Sequence, residues 1–188
     1  MSRSSSVMDP LVARRVKLVI FDVDGVLTDA GVYIGATASG EAVELKRFDI
    51  QDGVGMRMLK WSGLEVALVS GRISQATELR ALELGIECHQ EADAHKMPAV
   101  LSLLEKHRVG WEEVAMLGDD IPDLAVLRRV GLPAAVSNAT LPVREIALWE
   151  STKRGGHGAV REFTDALLLA RGQLDAAVER YVSERSGA

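Results

Sequence analysis

The run VKLVIFD, residues 16–22, limits what this chain can fold into more than any other stretch. It is short, apolar on both of its alternating faces, and it halts at two acids and a glycine, DVDG. A strand that is apolar on both faces must be covered on both faces, which is the setting of a central strand in a parallel sheet. Three later runs share the design: LEVALVS at 64–70, VAMLG at 114–118 and GLPAAVS at 131–137, each closing on small or acidic residues. Between them lie helical patterns, MRMLKW at 56–61, SQATELRALEL at 74–84 and MPAVLSLLEKH at 97–107, the last with Pro98 in an allowed first-turn position. Strands alternating with helices predict βαβ units and a doubly wound, Rossmann-like α/β fold with a parallel sheet.

One segment breaks the rhythm. Residues 31–48, GVYIGATASGEAVELKRF, alternate apolar and polar side chains about a turn containing Gly and Ser, the pattern of a β-hairpin flap. From GGHGAVRE at 155–162 onward the chain reads as a glycine-rich turn followed by helices. The organisation expected is a flexible tail over 1–15, one domain over 16–175 with the hairpin inserted, and a C-terminal helix and tail over 176–188. A length of 188 residues at 47% hydrophobic suits one domain with its own core.

Charge and cysteine content remove several classes of function. A net charge of −5 offers no basic footprint for nucleic acid. The single cysteine, Cys88, permits no internal disulfide or thiolate metal cluster and fits a reducing compartment. No apolar run approaches a membrane span, and MSRSSSVMDPLVARR lacks the apolar stretch of a secretory signal, so the expectation is a cytoplasmic protein without membrane partners.

In an open parallel sheet, ligands collect beyond the carboxyl ends of the strands. Here those ends carry Asp22, Asp24, Ser70 and Asp119. Two carboxylates one residue apart after a buried strand repel unless a cation or proton intervenes, and oxygen ligands of this kind suit Mg²⁺. The second acidic cluster, GDDIPD at 118–123, ends another strand and could add Asp119 to such a site. The plain alternative for each acid is a helix cap or a solvated turn.

Taken in order, DVDGVLTD at 22–29, VSGR at 69–72, Lys96 and GDDIPD at 118–123 resemble the four motifs of the haloacid dehalogenase superfamily. The stretch from Lys17 to about Asp175, with VLTD, KRF, DGVGM, SGR and GGHGAVRE, further resembles the capless phosphatases of 3-deoxy-D-manno-octulosonate 8-phosphate. The resemblance implies a Mg²⁺-dependent phosphomonoester hydrolase. Asp22 would be the nucleophile, Asp24 the general acid and base, and Lys96 the cation that neutralises nucleophile and phosphate together. Metal ligands would come from Asp22, Asp119 and the Asp24 backbone, with Asp120 and Asp123 orienting the metal site and Lys96. Ser70 and Gly71 would meet the phosphate, and Arg72 and Lys46 the substrate carboxylate. The plain readings are a strand-end turn for Ser70, a surface salt bridge for Arg72 and a solvent-facing lysine at 46.

Only residues 25–69 separate Asp24 from Ser70, which leaves no room for a large cap domain. A capless phosphatase must exclude water by other means, and a neighbouring subunit is one. The resembled family does this as a homotetramer whose glycine-rich tail reaches an adjacent active site, which would bring GGHGAVRE to a neighbour's pocket. Two departures bear on the substrate: Gln51 and His157 stand where the family usually has permanently charged side chains. Alternatives are therefore another sugar phosphate, such as a nine-carbon keto-deoxy acid 9-phosphate, or a noncatalytic oligomerisation module.

Overall fold

The computed structural model describes residues 7–186. Its centre is a six-stranded sheet of β1 Leu18–Phe21, β4 Glu65–Ser70, β5 Glu87–Gln90, β6 Val114–Gly118, β7 Leu132–Ala135 and β8 Trp149–Glu150. The spatial order is β5-β4-β1-β6-β7-β8, with every neighbouring pair parallel. The chain leaves β1 toward β4 and β5, then returns to build β6, β7 and β8 on the other side. The order therefore reverses at β1 and β6, and Asp22 and Asp119 follow those two strands directly. Such a reversal opens a crevice at the carboxyl ends of the strands.

The predicted strands form because their side chains are shut off on both faces: β1, β6 and β7 are buried throughout. Two strands were not predicted. The β5 segment, ECHQ, is polar and only half-buried at the sheet edge, and β8 has two residues, so neither carries an apolar run.

The helices are α1 Pro10–Arg15, α2 Ile50–Trp61, α3 Gln75–Leu84, α4 Lys96–His107, α5 Leu124–Leu127, α6 Leu141–Ile146, α7 Ala159–Arg171 and α8 Leu174–Ser186. One group, α1, α2, α7 and α8, packs together, and α4, α5 and α6 form another. Phe163 of α7 holds the first group to the sheet, meeting Phe21 edge-on at 5.9 Å and Trp149 at 5.4 Å. Each such pair adds about 0.5–1.5 kcal/mol beyond the area it buries.

The expectation of a flexible tail over 1–15 is corrected for its second half. Asp9 caps α1 by accepting the Leu11 N–H at 2.8 Å, Ala13 is fully buried, and the Arg171 guanidinium donates to the carbonyls of Ala13 and Val16. Residues 1–6 lie outside the described residues. The hairpin is present as β2 Tyr33–Ala36 and antiparallel β3 Ala42–Leu45, a separate two-stranded sheet. Between β1 and β4 the chain holds a turn at Val23–Leu27, this hairpin and α2, and no cap domain.

Candidate active site

Beyond β1 the chain cannot run straight, because Asp119 stands in its way. Gly25 adopts φ +99°, and a Cβ there would lie 2.0 Å from Asp119 Oδ2. Glycine thus lets the turn at Val23–Leu27 curl past Asp119, with Asp22 just before the turn and Asp24 within it. The turn is braced from behind by the glycine-rich loop. The Gly156 N–H donates to the Val26 carbonyl at 2.9 Å, and a Cβ on Gly155 or Gly156 would strike the backbone of Gly25 or of Thr28 and Asp29. Arg47 donates to the Gly156 carbonyl, and Glu162 accepts hydrogen bonds from Ser151, Thr152 and Lys153, fixing the approach to that loop. GGHGAVRE therefore packs, through Gly155 and Gly156, against the turn that carries Asp24.

At the floor of the cleft Lys96, the first residue of α4, pairs with Asp22 and donates to Asp123 Oδ1 at 2.5 Å. The lysine is 4% exposed, Asp22 4% and Asp123 1%, so the triad is dry. Burial opposes the charge on Lys96, but Asp22 and Asp123 outweigh it and hold its pKa above the ordinary value. The segment before it carries strain. Asp93 and Ala94 adopt φ of 56° and 60°, and Ala94 packs on Gly71, where a Cβ would meet it at 3.0–3.1 Å.

Asp22, Asp119 and Asp123 bring carboxylate oxygens within 4.8 Å of one another. Burial, followed by the charge of Asp123, raises the Asp22 pKa to about 6. Burial, then the charges of Asp22 and Asp123, pushes Asp119 to about 8. Carboxylates forced together this way are short of positive charge, and an all-oxygen set is the donor chemistry of Mg²⁺. Asp123 has the least to offer a metal, since Lys96 takes Oδ1 and the Asp119 and Asp120 N–H groups donate to Oδ2. Asp22 and Asp119 are the carboxylates left to hold an ion.

A cleft of about 290 Å³ joins these groups and is lined also by Asp24, Gly71, Arg72 and Asp120. Several expected site residues are placed differently from their reading. Ser70 is fully buried, and its hydroxyl accepts from the Arg72 N–H and donates to the Arg72 carbonyl, so it forms the strand-end turn and does not line the cleft. Asp120 turns its carboxylate to the Ile121 N–H at 2.8 Å and makes no contact with Lys96. Arg72 lies at the rim, 46% exposed, 3.0 Å from Glu44 and 3.9 Å from Asp24. Lys46 does not face solvent: its side chain is fully buried, with Nζ 2.7 Å from Asp24 Oδ1. Gln51 and His157 are exposed and outside the cleft lining of this subunit.

Sequence reasoning also missed Asp52. It sits in the first turn of α2, is fully buried, and accepts the Arg161 N–H of the first turn of α7 at 2.8 Å. Burial raises its pKa to about 7, against that hydrogen bond. The sequence signals were an acid in a helix first turn, a common cap position, and its place at the head of DGVGM, neither of which marks burial.

Against this geometry the likenesses to known proteins are consistent. The family described as haloacid dehalogenase-like hydrolase matches residues 86–163. The 3-deoxy-D-manno-octulosonate 8-phosphate phosphatase KdsC of Escherichia coli K12 is 42% identical over 165 residues, covering 88% of this chain and 86% of its own length. Its Yersinia pestis counterpart is 38% identical over the same shares. Among solved structures, the Moraxella catarrhalis phosphatase of that name, in complex with magnesium, phosphate and KDO, has a TM-score of 0.82 at 35% identity, covering 92% of this chain and 97% of its own. A probable yrbi family phosphatase from Pseudomonas syringae has a TM-score of 0.83 at 44% identity, covering 92% and 96%. By fold, by cleft and by identity over most of its length, the chain belongs to the haloacid dehalogenase-like hydrolases, within the family of the KdsC phosphatases.

Proposed function

We propose that this chain is a Mg²⁺-dependent phosphatase that hydrolyses 3-deoxy-D-manno-octulosonate 8-phosphate through an aspartyl-phosphate on Asp22. The observation that carries the reading is the dry Lys96 wedged between Asp22 and Asp123, with the Asp119 carboxylate beside Asp22 in the same cleft. An Asp22 oxygen forms a bond to phosphorus as the bond from phosphorus to the sugar oxygen breaks. Asp24 gives its proton to that leaving oxygen, then accepts one from the water that displaces Asp22 and releases phosphate. Lys96 keeps Asp22 aimed into the cleft and offsets charge as the phosphate approaches. Magnesium, held by Asp22 and Asp119 with the Asp24 backbone carbonyl, would neutralise phosphate charge and permit attack by an anion.

Arg72 has unused donors at the rim and suits the substrate carboxylate. The relatives in Escherichia coli and Yersinia pestis bear that substrate in their names, and the Moraxella catarrhalis structure holds magnesium, phosphate and KDO. The substrate would place the enzyme in cell-envelope lipopolysaccharide synthesis, in the cytoplasm. The lone Cys88 suits that reducing compartment, and among the described residues no helix is long and apolar enough to cross a membrane. Assembly as a homotetramer is part of the same proposal, supported by Tyr33, Ile34 and Leu45, which the hairpin leaves 61–79% exposed.

The test is Mg²⁺-dependent phosphate release across a panel of eight- and nine-carbon keto-deoxy acid phosphates and ordinary hexose and pentose phosphates. The eight-carbon acid is expected to lead, with Asp22→Asn lowering its turnover by about 10³-fold or more. Full activity in Asp22→Asn would remove the aspartyl-phosphate from the mechanism.

A further inference from the structure

The return strand of the hairpin sends two charged side chains inward, Glu44 and Lys46, where an amphipathic hairpin would bury apolar ones. Lys46 loses all side-chain exposure in doing so. An ammonium has three donors and no acceptor, so a dry one needs its directions filled. Around it lie Asp24 Oδ1 at 2.7 Å as an ion pair, Thr77 Oγ1 at 3.2 Å as a hydrogen-bond acceptor, and Glu44 Oε1 at 3.7 Å, within ion-pair range. Glu44 is itself fixed, accepting from the Ser74 hydroxyl at 2.5 Å and pairing with Arg72 at 3.0 Å. Fully buried and outside the cleft lining, Lys46 is not presented to a substrate carboxylate there.

The two oxygens of Asp24 are thereby made unequal. Oδ1 is buried against Lys46, while Oδ2 faces the guanidinium of Arg72 across 3.9 Å, and the residue lines the cleft. We propose that Lys46 is the positioning residue of the proton transfer, holding Asp24 Oδ1 so that the proton leaves and returns only through Oδ2. The inference rests on the reading of Asp24 as acid and base, and changes the role expected of Lys46 from substrate contact to partner of that acid. In the first step the Oδ2 proton passes to the sugar oxygen as its bond to phosphorus breaks. In the second, Oδ2 takes a proton from the attacking water as the Asp22–phosphorus bond breaks. Lys46 stays charged throughout and exchanges nothing.

The leaving group separates this role from a merely structural one. A sugar alkoxide needs the proton, whereas p-nitrophenolate leaves without it, so only hydrolysis of the aspartyl-phosphate depends on Asp24 when p-nitrophenyl phosphate is the substrate. In the full-length Mg²⁺-loaded enzyme, Lys46→Met is expected to lower kcat on the sugar phosphate by on the order of 10–100-fold with KM within about twofold. On p-nitrophenyl phosphate the same variant should release a rapid burst of about one p-nitrophenolate per active site, followed by slow turnover. Thr77→Val, nearly isosteric and remote from the cleft, removes one anchor of Lys46 and should show the same pattern at about threefold, which covers the case in which Lys46→Met does not fold. A raised KM at unchanged kcat would make Lys46 a substrate contact and overturn the proposal. Loss of burst and turnover together, or no effect on either, would overturn it too. Asp22→Asn separates the two readings: without Asp22 no burst can form, whatever the state of Lys46.

Discussion

The central sheet and the hairpin are both built from short strands, yet they treat charge in opposite ways. β1, β6 and β7 bury every side chain, and β1 and β6 carry their acids just past the strand ends. The hairpin strands are exposed almost throughout, show Tyr33, Ile34 and Leu45 to solvent, and tuck Lys46 beneath. The sheet is stable because of what it covers, and it can then tolerate a cluster of repelling acids at its edge. A two-stranded hairpin is marginal alone in water, so this one depends on the ion pairs below it. Rigidity and chemistry are therefore supplied by different parts of the chain and meet at Asp24.

The contrast can be broken most forcefully in the core. Phe163→Ala removes the ring between Phe21 and Trp149 and should cost about 3–5 kcal/mol in urea unfolding, while leaving the activity of the folded fraction intact. A loss under about 1 kcal/mol would mean that the sheet is not the stable half.

A smaller effect is expected at Asp52, which belongs to neither region. Its pKa rises from 3.8 to about 7 on folding, so the folded state holds the extra proton between those values. Its contribution is fully present near pH 4 and is lost as pH rises through 7, where a charge must be buried. Asp49 adds to the rise, and Lys153 and Arg80 oppose it. Asp52→Asn, compared with the parent at pH 5 and pH 8, should shift relative stability in its own favour at pH 8 by roughly 2 kcal/mol. A parallel pair of stability–pH curves would show that the carboxyl titrates normally.

The smallest change in folding energy is expected on the hairpin surface. Leu45→Lys should alter the unfolding free energy of a single chain by under about 0.5 kcal/mol, because the leucine is 61% exposed. Its effect should appear instead in sedimentation, as a smaller assembled mass. A core-sized loss with unchanged mass would erase the distinction between the two regions.

What could be read from the sequence follows the same division. Four strands of the sheet were legible because burial on both faces leaves an apolar run, and the acids were legible because they stop those runs. β5 and β8 were not, since a polar edge strand and a two-residue strand exist only by pairing with β4 and β7. Lys96 is 74 residues from Asp22, and nothing local marks it as a partner; the order of motifs did. Lys46 was assigned to solvent or substrate because lysine usually lies there, and its burial depends on how the hairpin folds back over Thr77. Ser70 and Asp120 were read by motif, while their side chains answer to nearby backbone groups.

The brace behind the catalytic turn also sets a schedule for the chain as it is made. Asp22, Asp24, Lys96, Asp119 and Asp123 have all been synthesised by residue 123, yet the Gly156 N–H that ties down Val26 comes from 130 positions after it. A growing chain on the ribosome thus acquires these side chains early and their support late. The loop that holds the turn in place is made only after every one of those side chains.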